Sequence, residues 1–225
     1  MKPVIDQIIR TRRRTIALII QPDGQLVVRA PLNASHRQIQ TAVAQRADWI
    51  LKTQEIMRSR QAARPPVRFE NGASFWYFGK TFPLEIVEPT RPALNLTHSF
   101  QLSEKMLPRA TEVFTAWYRA QALHYLPERV QQHALTNNFT YNSVRITSAR
   151  TRWGSCSGRN TLSFPWRLIM APPDVIDYVI LHELAHTREH NHSARFWALV
   201  ASLDPEYPSH RKWLKLKGPL LTLDD

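Results

Sequence analysis

A chain of 225 residues, 43% of them hydrophobic, can bury one good core or two small ones. Lysine and arginine number 30 against 18 acidic residues, a formal charge of +12. That excess points towards acidic partners, nucleic acid the commonest, or simply to a basic, solvated surface. The single cysteine, Cys156, excludes an intramolecular disulfide framework and a cysteine zinc cluster, and fits a reducing, cytoplasmic setting. Residues 1–14 hold no signal-like apolar run, and no stretch approaches the roughly 20 apolar residues of a membrane span.

Arg10, Arg12, Arg13 and Arg14 form a basic cluster at a strand entrance. Residues 15–20 and 26–29 read as a hairpin, with Pro22, Asp23 and Gly24 supplying the turn. Ser35 and Gln38 have capping-box spacing, so a helix is expected from there to about Arg60. Ile39, Val43, Ala47 and Ile50 make its buried stripe, and Arg64-Pro65-Pro66 end it. A second hairpin is expected from residues 75–78 and 81–87 around Gly79-Lys80. Its aromatic run reads as a buried strand rather than a base-stacking platform, and Pro83 suggests an edge position.

Residues 88–102 read as a variable loop region with a soft boundary. The expected division is an N-terminal α+β subdomain over 1–100 and a second subdomain over 101–225. A long helix is expected from Pro108 to about Asn137, broken or kinked at Pro127. Val113, Trp117, Ala120 and His124 would share its face, and His124 and His133 read as structural. Residues 143–156 read as a strand, with 161–164 returning after a turn at 157–160. Ser193 can cap a helix carrying Phe196, Trp197, Val200 and Leu203, and Pro208 opens a last one carrying Trp213 and Leu216.

The chemistry lies between Val179 and Trp197. His182-Glu183-Leu184-Ala185-His186 is an H-E-x-x-H motif, preceded by proline and acid suited to a helix start. Residues four apart on a helix share a face, so both imidazoles can point at one metal ion. Glu183 can then reach a water in the ion's open position. A third ligand is needed. On an unbroken helix His182 and His190 would stand roughly 12 Å apart along the axis, too far for one zinc. The helix must therefore end soon after His186 and turn back, with Asn191 suited to the left-handed conformation. His192 is then the best-placed third ligand, with Glu189, His190 and Glu206 as alternatives.

Trp153-Gly154-Ser155-Cys156-Ser157, Leu168-Ile169-Met170-Ala171-Pro172, the stretch around H-E-x-x-H, and Asn191-His192-Ser193 with Phe196-Trp197 resemble the YgjP-like family of zinc metallopeptidases. That family is related to the SprT-like and WLM groups. The resemblance is strong between Arg152 and Trp197 and loose before that. It implies an α+β fold: N-terminal β-hairpins with a long helix, then a zincin-like half with a small antiparallel sheet and the H-E-x-x-H helix. It also implies Zn²⁺ held by His182, His186 and His192, in agreement with the helix geometry.

The reading is zinc-dependent hydrolysis of peptide bonds, with a peptide or protein substrate and Glu183 as general base. Arg152 to Cys156 could form a substrate wall by strand addition, and Tyr207 or His210 could donate to the oxyanion. Three rivals stay open. One is a SprT-like protease acting on DNA-associated proteins, favoured by the charge. Another is a metal-dependent nucleotide phosphohydrolase (a pyrophosphatase), disfavoured by histidine ligands and the lack of a glycine-rich phosphate loop. The last is a scaffold with a closed structural zinc. Oligomeric state is not legible.

Overall fold

The computed structural model describes residues 3–21, 23–62 and 67–223. The chain forms two compact units, Met1–Pro65 and Pro66–Asp225. Residues 66–100, expected with the N-terminal half, thus group with the C-terminal one. None of the helices among the described residues is long and apolar enough to cross a membrane.

In the first unit, β1 (Gln7–Thr11), β2 (Ala17–Ile20) and β3 (Leu26–Pro31) form a sheet in the order β1-β3-β2. β2 and β3 are the expected antiparallel hairpin, while β1 adds a parallel strand that the arginine-rich segment concealed. Gly24 takes φ 84° in the turn; Pro22 lies outside the described residues. Arg10 is not merely solvated: its guanidinium donates to the carbonyl of Ala34 at 2.7 Å. Leu26, Val28 and Ala30 alternate into a cluster with Ile39, Val43 and Ile50.

The expected single helix is two, α1 (His36–Gln45) and α2 (Ala47–Ala62). α1 begins on the Ser35 capping box, both of whose hydrogen bonds are made, at 2.8 and 3.2 Å. Arg46 separates the two helices, and Asp48 sits in the first turn of α2, where the helix dipole favours a carboxylate. Arg64, Pro65 and Pro66, expected to stop this helix, lie outside the described residues.

The second unit opens with β4 (Ser74–Tyr77), β5 (Lys80–Val87), β6 (Leu94–Leu96) and β7 (Phe100–Ser103), in the order β4-β5-β7-β6. Pro83 lies in the half of β5 that pairs with β4 alone, so its other side is a local edge, as expected. It is tolerated because β5 changes partner there: residues 80–83 pair with β4 and 84–87 with β7. The aromatic run packs against protein rings, with Phe75 4.4 Å from Phe114, Tyr77 5.0 Å from Trp117 and Phe78 4.7 Å from Tyr125. The hairpin turns through Phe78 (φ 47°) and Gly79 (φ 76°). Its tip is pinned by amide donation to the carbonyls of Ile169 and Met170, at 3.1 and 3.0 Å. A Cβ on Gly79 would stand 2.5 Å from Pro172 Cγ, so only glycine fits.

α3 (Ala110–Thr136) runs through Pro127 as one helix, so of the expected break or kink there is no break. The carbonyl freed by the missing N–H belongs to Leu123, whose side chain is exposed, so water can replace the lost donor. The buried stripe is Phe114, Tyr118, Ala122, Leu126 and Val130, rotated from the expected one; Ala120 and His124 face solvent.

β8 (Ser143–Thr147), β9 (Ser155–Cys156) and β10 (Thr161–Pro165) form a sheet in the order β8-β10-β9. The strand expected over 143–156 is thus two short strands with a crossing between them. The sheet is mixed rather than purely antiparallel: β8 runs parallel to β10, and only β9 is antiparallel. Ile146, Leu162 and Phe164 point into the core shared with α3.

α4 (Pro173–Ala185), α5 (Ala194–Leu203) and α6 (Tyr207–Lys217) complete the unit. α4 is apolar on nearly every side, with nine of its residues buried, as a central helix must be. Asp177 is its main polar tie. It accepts from Arg129 Nε at 2.9 Å and from Arg129 Nη2, and lies 3.1 Å from His133 Nε2. Burial pushes the Asp177 carboxyl up, but the hydrogen bonds from His133 and Arg129 outweigh it and leave the group below its ordinary value. His133, expected to be structural, is placed there.

Candidate metal centre

Pro172 and Pro173 start α4 where a missing N–H costs nothing, and the carbonyl of Pro172 accepts from Ile176 at 2.9 Å. At the other end the helix stops at Ala185, with His186 as its C-cap. Thr187 Oγ1 donates to the Leu184 carbonyl at 2.7 Å, competing for the last turn. Arg188 anchors the following turn by donating to the carbonyls of Asn137 and Asn138 at 3.0 and 2.7 Å. Its guanidinium also lies 4.0 Å from the Phe139 ring. The expected left-handed Asn191 is not formed; among the described residues the positive-φ non-glycine ones are Phe78, Asn138 and Asn160. Asn191 instead turns the chain through its side chain, whose Oδ1 accepts from Ser193 N–H at 3.2 Å. Ser193 then caps α5, accepting from Phe196 N–H.

This turn brings His192 back over α4. Its Nε2 lies 3.2 Å from His182 Nε2 and 3.2 Å from His186 Nε2. Ligand nitrogens of all three residues lie within 4.8 Å of one another. Two nitrogens bound to a tetrahedral zinc at its usual bond length stand roughly 3.3 Å apart, so the cluster fits that ion. The alternatives sit elsewhere: Glu189 and Glu206 are absent from the cluster, and His190 only lines the adjoining cleft.

The electrostatics disfavour protonation of His182 and His186. Burial, then the neighbouring His186 and His192, drop His182 to about 3. Burial also lowers His186, although the carbonyl of Glu189 opposes it. That carbonyl lies 3.1 Å from His186 Nδ1, so an Nδ1–H can donate to it and leave Nε2 free as a lone-pair donor. His182 Nδ1 is buried without a partner.

Phe196 is the floor of the cluster. Its ring centroid lies 4.9 Å from His182, 4.4 Å from His186 and 4.8 Å from His192. Trp197 stacks on His192, and Tyr207 stacks on Trp197. Sequence pattern assigns Phe196 only a packing role, because His192 precedes the α5 cap and helical spacing does not relate the two.

Glu183 is 5% exposed, and its Oε2 has no protein partner. Burial pushes its carboxyl up to about 8, with Arg152 pulling the other way. Gly154 lies against it: a Cβ there would stand 2.6 Å from Glu183 Cγ. Gly154, Ser155, Cys156 and Ser157 line an open cleft of about 520 Å³ together with Glu183 and the histidines. Of the proposed oxyanion donors, His210 is committed elsewhere, with Nδ1 2.8 Å from Asp204 Oδ2 and Nε2 3.5 Å from Asp174 Oδ2. Tyr207 is held in the ring stack.

The YgjP-like, metallopeptidase domain family matches residues 14–217. No curated protein matches the sequence. Among solved structures, the metallopeptidase zymogen abylysin of Pyrococcus abyssi is 21% identical, covering 41% of this chain and 95% of its own, with a TM-score of 0.37. With the family spanning nearly the whole chain, the protein belongs to the YgjP-like metallopeptidases.

Proposed function

We propose that this metallopeptidase uses zinc, held by His182, His186 and His192, to hydrolyse peptide bonds. The observation that carries the reading is the convergence of three imidazoles beside the buried carboxyl of Glu183, whose Oε2 has no protein partner. An all-nitrogen donor set suits zinc, whereas nucleotide hydrolysis usually employs magnesium on carboxylates. When bound, zinc supplies a water of lowered pKa and polarises the scissile carbonyl.

The chain's own residues do the rest. Glu183 is the general base, taking a proton from the attacking water and passing it to the leaving amine. Gly154 leaves room for that carboxylate. β9 is an edge strand of its sheet and lies along the cleft, so an extended substrate can add to it by main-chain hydrogen bonds. The test is Glu183→Gln. It keeps zinc, measured by elemental analysis, and loses hydrolysis of a casein or peptide-library substrate. Wild-type turnover by that variant removes the assigned role.

A further inference from the structure

The outer face of the β8-β10-β9 sheet carries a second hollow of about 520 Å³. Ile146, Leu162 and Phe164 point inward, so the alternate residues face out. The register places Arg145, Ser163 and Ser155 in one row across the three strands. Arg152 comes in from the loop before β9, and Arg159 from the turn after it. That turn is fixed by Ser157 Oγ, which accepts from the amides of Arg159 and Thr161 at 3.3 and 3.1 Å. The lining holds these three exposed arginines, with serine and threonine hydroxyls and no acidic residue. Neither Arg145 nor Arg159 has an ion-pair partner among the described residues.

Ser155, Cys156 and Ser157 border both this hollow and the metal cleft. A substrate strand added along β9 would send alternate side chains to opposite faces. We propose that the hollow is a specificity subsite for an acidic side chain of the substrate, close to the scissile bond; this rests on the peptidase reading above. Planar guanidiniums with nearby hydroxyls match a carboxylate in charge and geometry. Phosphate of a nucleic acid is the competing anion, but the lining has no aromatic residue on which a base could stack.

The test uses the zinc-loaded full chain and short peptide pairs that differ only by Glu against Gln, walked across every position. Binding by fluorescence anisotropy and kcat/KM are both read. The Glu peptide binds about tenfold tighter at one position, the size of one charge-assisted hydrogen bond. The Arg145→Gln/Arg159→Gln variant, with folding checked by circular dichroism, brings that ratio close to one. Arg159→Glu shifts the preference towards a Lys-bearing peptide, which lost structure alone would not do. Equal affinity for Glu and Gln peptides, or a preference indifferent to the arginines, overturns the subsite. So does a single-stranded oligonucleotide bound through Arg145 and Arg159 while Glu and Gln peptides remain alike. An arginine-dependent preference without cleavage leaves the subsite standing and removes the peptidase reading instead.

Discussion

Gly154 and Glu183 touch so closely that any side chain on the first must move the second. The glycine is set by a carboxylate on α4, not by its own backbone, since its φ is not in the left-handed region. Gly154→Ala is expected to keep the three imidazoles and lose activity by about 100-fold, the scale of a 1 Å misplacement. Zinc content with kcat measured on one sample checks it. Full activity would mean that Glu183 yields without consequence.

Phe196 supports all three rings, so Phe196→Ala should act on both metal and fold. Truncating a buried Phe costs about 3–5 kcal/mol. Loss of ring support should weaken zinc affinity by about 10–100-fold. Competition with a chromogenic chelator and a thermal melt separate the two effects. Phe196→Leu keeps most of the volume and should recover more stability than affinity.

Zinc should stabilise the fold through His192 in particular, because that residue joins the loop after α4 to the helix itself. A ligand at 100 times its dissociation constant adds about 2.7 kcal/mol to a folded protein. His192→Ala is expected to lose most of the zinc-induced rise in melting temperature. An undiminished rise in that variant moves the third ligand elsewhere.

Asp177 carries a pH dependence whose sign is set by its lowered pKa. A depressed folded-state value means the stabilisation is fully present above the ordinary carboxylate range. It is lost as pH falls through the folded value. Asp177→Asn should cost about 1–3 kcal/mol at neutral pH. It should also flatten the loss of stability between neutral pH and acid, as urea titrations at several pH values would show.

The three-histidine cluster was legible because its rules are short-range. The four-residue spacing of His182 and His186 fixes one face of a helix, and the reach of a single ion forces the chain to turn before His192. The means of that turn was not legible, since Asn191 can bend a chain through its backbone or its side chain, and Arg188 selects by anchoring to residues far away in sequence. The hairpins at 17–31 and 74–87 followed from turn chemistry at Gly24 and Gly79. The stripe on α3 was misplaced because Trp117, Tyr118 and Phe114 offer two apolar faces; packing on Phe75 and Phe100 decides between them. The basic hollow was hidden because its arginines are spread over a strand, a loop and a turn.

Two of the three imidazoles ride on a rigid rod, and the third arrives on a short tether over residues 187–191. Damage to that tether, by a nick or an inserted residue, would reduce a triad to a pair while the rod stays folded. The molecule thus has a silent failure mode, in which it remains well built and has lost one of the three donors of the proposed site.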